Sequence, residues 1–186
     1  CMNAQAAVDI TMVQQPTAGT NAVVNLCEAS PVTNLFTLLG GTPTPGGTWT
    51  GPSGGAATST FMPGTSIPGP YTYSVIATAP CANSSATVTV NVAALPDAGT
   101  DAVLAVCSSG APAAMLPLLG AGAQVGGTWS SPSGLPIGGT FTPGTSVDGV
   151  YTYSIIGSAP CPDASATVTV TTTAAGNAGT PSAVPL

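Results

Sequence analysis

The 186-residue sequence contains no Lys, no Arg and no His, so its side chains carry no positive charge. Because proteins hold the phosphates of nucleic acids through Lys and Arg, we expect no nucleic-acid binding. A polybasic membrane patch is excluded for the same reason. Without His, neither a Ser-His-Asp nor a Cys-His catalytic arrangement can form. We therefore predict that the chain is not an enzyme.

Negative charge is also scarce, because the chain has only six carboxylates and 3% charged residues. Ordinary domains are about a quarter charged. The apolar fraction of 44% is nevertheless sufficient for a core. Thr, Ser and Asn must then cover the surface, which would repel neighbouring molecules only weakly. No run of 18 apolar residues is present, so we expect no membrane insertion.

The most informative feature of the sequence is an internal repeat with an offset of 80 residues. Trp49 and Trp129 are related by this offset, and no insertion or deletion interrupts it. Nearly half of the aligned positions are identical. We predict two domains, residues 18–97 and 98–177, with residues 1–17 as the last strand of a preceding repeat and 178–186 as the start of a following one.

Short β-type runs separated by Gly and Pro turns fill each repeat. In the first repeat they lie at residues 23–27, 35–39, 48–50, 60–62, 71–76 and 86–92, and the second repeat has the same runs 80 residues later. Val and Thr alternate in residues 86–92, as in a half-buried strand. This spacing predicts an all-β sandwich with very little helix.

Each repeat has four aromatic residues that form its core signature. They are Trp49, Phe61, Tyr71 and Tyr73 in the first repeat, and Trp129, Phe141, Tyr151 and Tyr153 in the second. Such residues could form an aromatic platform for sugars. A thin sandwich, however, needs about one aromatic per strand to fill its interior, so we expect these rings in the core.

The five cysteines favour an oxidising, extracellular compartment. We expect one disulfide in each repeat, Cys27–Cys81 and Cys107–Cys161, with Cys1 paired outside this chain. The competing pairing joins Cys1 to Cys27 and Cys81 to Cys107, which would connect adjacent repeats. In such a sandwich the end of the first strand and the turn before the last strand tend to lie at opposite poles, which counts against our preferred pairing.

The carboxylates offer no obvious metal or catalytic site. They are Asp9, Glu28, Asp97, Asp101, Asp148 and Asp163. Only Asp97 and Asp101 lie close together, at the joint between the two predicted domains. A calcium ion bound there is an alternative to solvated turn carboxylates. A zinc site would need His or closely spaced cysteines, which the sequence lacks. We predict no metal and no cofactor.

The recurring string G-G-T-W-[ST]-x-P-S-G, followed by F-x-P-G-T-S, G-x-Y-T-Y-S and S-A-T-V-T-V, resembles the tandem immunoglobulin-like repeats of giant surface proteins in Bacteroidota. These include SprB-like gliding-motility adhesins and related proteins exported by type IX secretion. The resemblance implies tandem immunoglobulin-like β-sandwich domains in a long extracellular filament at the cell surface. It brings no catalytic residues.

We accordingly expect a structural stalk or filament segment whose partners are neighbouring repeats, and beyond them surface glycans or other cells. Two alternatives remain open. The repeats could be carbohydrate- or protein-binding modules that use the loops at residues 52–57 and 131–137. The strand-like residues 1–17 could also complete a fold in another chain, so that subunits polymerise by strand donation.

Overall fold

The structure of the chain is a computed structural model that describes residues 5–174 and residue 176. It divides into two units, Cys1–Ala93 and Ala94–Leu186. Each unit has its own hydrophobic core. The predicted residues 178–186 of a following repeat lie outside the described residues.

Unit 1 contains seven β-strands and one 3₁₀ helix among its described residues. In chain order these are β1 (Ala22–Cys27), β2 (Thr33–Asn34), the 3₁₀ helix (Leu35–Leu38), β3 (Thr48–Thr50), β4 (Ala56–Ala57), β5 (Thr60–Phe61), β6 (Gly69–Val75) and β7 (Ser84–Ala93). Five strands form one sheet in the order β1-β7-β6-β3-β4, and β2 pairs with β5 in a second sheet. The core lies between the two sheets.

Unit 2 repeats this arrangement. Its elements are β8 (Ala102–Cys107), β9 (Ala113–Ala114), the 3₁₀ helix (Leu116–Leu119), β10 (Thr128–Ser130), β11 (Pro136–Ile137), β12 (Thr140–Phe141), β13 (Gly149–Ile155) and β14 (Ala164–Thr173). The larger sheet has the order β11-β10-β13-β14-β8, and β12 pairs with β9. The predicted tandem immunoglobulin-like β-sandwich class is confirmed by these all-β units.

The first strand of each unit is parallel to the last, whereas the other strand pairs are antiparallel. In unit 1 the register places Ala22 opposite Val88 and Cys27 opposite Ala93. The strand β1 therefore ends at the same end of the unit as β7. In unit 2 the register places Cys107 opposite Thr173, so β8 and β14 also end together.

The alternation predicted for the last strand is present. In β7, Ala86, Val88 and Val90 are buried, while the Thr residues between them are partly exposed. Side chains on a strand point alternately to opposite faces. One face of β7 therefore packs on the core and the other carries hydroxyl groups.

The strands expected at residues 35–39 and 115–119 are not formed, and this part of the prediction is wrong. The structure has 3₁₀ helices there, Leu35–Leu38 and Leu116–Leu119. Leu35 and Leu39 are buried while Thr37 between them is exposed. A strand that buried both leucines would also bury residue 37, because alternate residues share a face. The Asn34 side chain starts the turn by accepting a hydrogen bond from the Phe36 amide.

Residues 5–17 precede the first strand and contain no strand themselves. The identification of residues 1–17 as the last strand of another repeat therefore stays a prediction. No helix among residues 5–174 and 176 is long and apolar enough to cross a membrane.

Candidate functional site

The eight aromatic residues of the core signature lie inside the two units, and none is more than 8% exposed. The Trp49 and Tyr73 ring centroids are 5.1 Å apart, and the corresponding distance between Trp129 and Tyr153 is 5.0 Å. Phe61 and Tyr71 meet edge to face at 5.7 Å. Because core residues cover these rings, they cannot offer a stacking platform to a sugar.

The buried tyrosines also hold loops in place through their hydroxyl groups. The Tyr73 hydroxyl accepts a hydrogen bond from the Gly47 amide at 2.8 Å and donates one to the Thr44 carbonyl at 2.7 Å. The Tyr71 hydroxyl donates to the Ile67 carbonyl at 2.9 Å. Burial raises the pKa of the Tyr71 hydroxyl. These hydrogen bonds satisfy polar groups that enter the core.

The two glycines of the G-G-T-W motif are required for different physical reasons. Gly46 has a φ of +92°, a conformation that other residues rarely adopt. A Cβ on Gly47 would lie 2.7 Å from the ring of Tyr73 and closer still to the Ser74 carbonyl oxygen. Gly47 is therefore required by the close approach of the β6 backbone and of the tyrosine whose hydroxyl it binds, and Gly127 has the same relation to Ser154 and Tyr153.

The cysteines correct the predicted pairings. Cys27 and Cys161 are disulfide-bonded, whereas Cys81 and Cys107 are free. Neither Cys27–Cys81 nor Cys107–Cys161 is formed, and the alternative Cys81–Cys107 pair is also absent. Any pair that involves Cys1 lies outside the described residues.

The register explains why neither Cys27–Cys81 nor Cys107–Cys161 is formed. Cys27 lies opposite Ala93, the last residue of β7, whereas Cys81 precedes Ser84, the first residue of β7. The nine steps along β7 correspond to about 30 Å at roughly 3.3 Å per residue. A disulfide needs Cα atoms within about 7 Å. The concern about opposite poles was therefore correct.

We call the end of a unit where its last strand begins the proximal pole, and the end where that strand finishes the distal pole. Cys81 and Cys161 are then the proximal cysteines, and Cys27 and Cys107 are the distal cysteines. Each unit has one of each.

Four of the carboxylates accept hydrogen bonds from backbone amides. Asp97 binds the Gly99 amide at 2.8 Å, Asp101 the Thr167 amide at 2.8 Å, and Asp163 the Gly157 amide at 2.9 Å. In the part of the chain that the structure describes, no three His, Cys, Asp or Glu residues are grouped so that they could hold a metal ion.

Two of these carboxylates are replaced by amides in the other unit. Asn21 accepts from the Thr87 amide at 2.8 Å, as Asp101 does from Thr167. Asn83 accepts from the Ala77 amide at 2.8 Å, as Asp163 does from Gly157. The side-chain oxygen, and not the charge, is therefore the shared property of these positions.

Asp148 is different, because its counterpart is Pro68. Its carboxylate accepts hydrogen bonds from both the hydroxyl and the amide of Thr172. These bonds, the hydroxyl first, lower the pKa of the Asp148 carboxyl below its ordinary value. Asp148 thus ties the turn before β13 to the end of β14.

A groove lies at the same place in each unit, between the Pro-Ser-Gly turn and the Pro-Gly-Thr-Ser turn, and includes part of both loops proposed as binding loops. In unit 2 its volume is about 520 Å³, and in unit 1 about 300 Å³. The larger groove is lined by Ser131, Ser133, Ile137, Thr140 and Tyr151, among others. Its lining is uncharged, so it could receive a neutral, hydroxylated ligand.

The segment at residues 5–13 exposes apolar side chains whose repeat counterparts are buried. Val8 and Ile10 are 84% and 86% exposed, whereas the corresponding Val88 and Val90 of β7 are fully buried. The carbonyl of Val13 accepts a weak hydrogen bond from the Cys81 thiol at 3.5 Å. The segment therefore has the side-chain pattern of β7 without its surroundings.

Neither a protein-family model nor a curated protein matches the sequence. Among solved structures, the chain is similar to Sidekick-1 immunoglobulin domains 1–4, with a TM-score of 0.45 and 14% identity over 87% of this chain and 48% of that one. It is also similar to a three-immunoglobulin-domain structure of titin in a Glu-to-Ala variant, with a TM-score of 0.49 and 13% identity over 82% of this chain and 62% of that one. The chain thus spans less than two thirds of each of these structures.

Proposed function

We propose that the chain is a structural segment of a long extracellular stalk or filament, built from immunoglobulin-like repeats and used for surface attachment. The observation that carries this proposal is the parallel pairing of the first and last strands of each unit.

The chain enters and leaves unit 1 at opposite poles. The Ala18 amide donates a hydrogen bond to the hydroxyl of Ser84, the first residue of β7, at 2.9 Å. The chain leaves the unit after Ala93, the last residue of β7. The two points are therefore separated by the length of β7, about 30 Å.

Tension applied through the chain would load β1 and β7 in opposite directions along their length. The six register pairs from Ala22–Val88 to Cys27–Ala93 would then be sheared together. An antiparallel hairpin pulled from one end opens one pair at a time instead. Because the hydrogen bonds of a parallel pair are evenly spaced along the strands, they share a shearing load. Both units have this geometry.

The cysteines, the surface charge and the sequence resemblance support a location and a set of partners. Disulfide-bonded Cys27 and Cys161 favour an oxidising, extracellular setting. The weakly charged surface suits lateral contact with other repeats, and surface glycans or other cells would be bound elsewhere in the filament. The sequence resemblance to SprB-like adhesins of Bacteroidota supports a role in surface attachment or gliding.

Single-molecule force spectroscopy tests the mechanical role. We expect two equal unfolding steps of roughly 240 Å, since 80 residues extend to about 270 Å and the folded unit already spans about 30 Å. A reductant is present so that no disulfide limits extension. The matched control pulls unit 1 from residues 18 and 78, which both lie at the proximal pole. The stalk proposal fails if this geometry resists force as well as the end-to-end geometry.

A second candidate function is binding of a neutral sugar in the groove of unit 2. The presence of a groove at the same position in both units favours it. Gly138 lines the groove, and a Cβ there would meet no atom within 4 Å. Gly138→Trp should therefore fill the groove without disturbing the fold. Sugar binding on a glycan array that Gly138→Trp abolishes would support this candidate.

A third candidate is polymerisation by strand donation, favoured by the exposed apolar residues at 5–13. A denaturing gel of the native assembly under reduction separates it from a continuous stalk. A band near the 17.7 kDa mass of this chain would indicate assembled subunits, and a much larger band would indicate one long polypeptide.

A further inference from the structure

The two classes of cysteine differ in state within one chain. Among the distal cysteines, Cys27 is 3% exposed and disulfide-bonded, whereas Cys107 is exposed and free. Among the proximal cysteines, Cys161 is 7% exposed and bonded, whereas Cys81 is partly exposed and free. Each class therefore has one bonded and one free member.

The local backbone does not explain this difference. The turn after each distal cysteine is closed in the same way, by a 2.8 Å hydrogen bond to the carbonyl of Cys27 or of Cys107. The amides of Cys81 and Cys161 donate to the carbonyls of Thr78 and Ser158 at 3.0 and 2.9 Å. The free cysteines thus occupy the same backbone turns as the cysteines that form disulfides, although the Cys27 amide also donates to the Ser30 hydroxyl, which Gly110 cannot offer to Cys107.

Among the described cysteines, a partner for either free thiol must come from beyond its own unit, because the two poles of a unit are about 30 Å apart. We propose that Cys107 of one copy of this chain forms a disulfide with Cys81 of a second copy. This inference rests on the proposed stalk or filament role and supplies its joint. The second copy offers a free thiol of the opposite class in the same local structure.

Pairing of unlike classes, rather than of like classes, is what the proposed stalk role requires. A link between unlike poles leaves a free distal thiol at one end of the product and a free proximal thiol at the other. Such head-to-tail contacts extend as open filaments, whereas like-to-like contacts close after two copies. The proposed link therefore extends an array of repeats.

The bond forms by thiol–disulfide exchange with a donor disulfide, such as oxidised glutathione or the disulfide of a thiol oxidoreductase. The Cys107 thiolate attacks the donor, forms a mixed disulfide and releases one donor thiolate. The Cys81 thiolate of the second copy then attacks the Cys107 sulfur and releases the second donor thiolate. Two protein thiols lose two protons and two electrons, and the donor disulfide is reduced to two thiols.

The experiment uses the 186-residue chain with Cys1→Ser throughout, so that covalent products report on the described thiols. Cys107→Ser and Cys81→Ser variants carry different affinity tags and are incubated with oxidised glutathione, separately and as an equimolar mixture. We expect each variant alone to stay monomeric on a non-reducing gel. The mixture should give a heterodimer that carries both tags and disappears on reduction, and the parent with both thiols should give a ladder.

Two outcomes would overturn the proposal. One is the absence of covalent dimers both in the equimolar mixture of the two variants and in the parent protein. The other is efficient dimer formation by either variant alone, which would mean that like poles pair. Circular dichroism of both variants checks that the Ser substitutions leave the fold intact. The force measurement above is made under reduction, so the stalk role and the proposed link can fail separately.

Discussion

The Tyr73 hydroxyl oxygen lies 2.8 Å from the Gly47 amide nitrogen and 2.7 Å from the Thr44 carbonyl oxygen, so it bridges the loop before β3 to β6. Tyr73→Phe leaves both backbone groups without this partner in a partly buried site. We expect a loss of about 1–3 kcal/mol in the free energy of unfolding, measured by urea denaturation.

Tyr153→Phe is the matched change in unit 2, because Tyr153 binds Gly127 and Gln124 in the same way. Thr65→Ala serves as the control, since its hydroxyl makes only an exposed hydrogen bond to Met62. It should change stability by less than about 0.5 kcal/mol. Equal effects of Tyr73→Phe and Thr65→Ala would contradict the bridging role.

Gly127→Ala should destabilise unit 2, whereas Gly138→Ala should not. A Cβ at Gly127 would lie 2.5 Å from the Ser154 carbonyl oxygen and 2.6 Å from the Tyr153 ring, while one at Gly138 meets nothing within 4 Å. We expect the crowded site to cost about 1–3 kcal/mol, as overpacking does. Thermal unfolding of both variants gives the comparison, and a stable Gly127→Ala protein would show that both the Ser154 backbone and the Tyr153 ring can move away.

We expect unit 2 to tolerate replacement of Asp101 by Asn but not by Ala. Asp101→Asn keeps the oxygen that binds the Thr167 amide, as Asn21 does for Thr87. Asp101→Ala removes it and should cost about 1 kcal/mol in the free energy of unfolding at neutral pH. If Asp101→Asn were as destabilising as Asp101→Ala, the charge would matter after all.

Unit 2 should lose stability in acid through Asp148. Because Thr172 lowers the pKa of this carboxyl below the ordinary value of 3.8, the ionised form stabilises the fold above that value. The contribution disappears as the pH falls through the lowered pKa. In a Trp49→Phe background, Trp129 fluorescence reports on unit 2 alone. Asp148→Asn should flatten the acid limb of that stability curve. In a Trp129→Phe background, where Trp49 reports on unit 1, Asp148→Asn should have no effect.

Deletion of residues 1–13 should raise the reactivity of Cys81 selectively. The Cys81 thiol donates to the Val13 carbonyl, so this segment covers part of the thiol. We expect labelling by a thiol reagent to become several-fold faster at Cys81, because access controls the rate. Cys107 lies in unit 2 and supplies the internal control. Equal acceleration at both thiols would point to general loosening of the protein.

Much of the fold could be predicted because the relevant signals are local. The alternation of Val and Thr in residues 86–92 indicates a strand whatever surrounds it, and β7 is that strand. The prediction of a strand at residues 35–39 is wrong, although the apolar residues there suit a strand. The helical turn that forms instead depends on the Asn34 cap and the exposure of Thr37. The two-residue strands β2 and β4 are too short to show a period.

The candidate sites were harder, because they depend on distances between residues far apart in the sequence. A spacing of 54 residues between Cys27 and Cys81 does not reveal that β7 separates them. The parallel register of β1 and β7 decides this, and no local pattern encodes that register. Both grooves likewise form between two turns that are separate in the sequence. The only available signal was that each turn repeats at the same offset.

Asn21 and Asn83 of unit 1 make the same hydrogen bonds as Asp101 and Asp163 of unit 2, so these bonds do not depend on charge. This bears on how the fold responds to salt. With no Lys, Arg or His in the sequence, no side-chain ion pair holds either unit together. Dissolved salt weakens such pairs by screening them. Hydrogen bonds between neutral groups and the burial of aromatic rings are not screened in this way. The repeats should therefore keep their fold in fresh water and in brine alike, which suits the extracellular role proposed above.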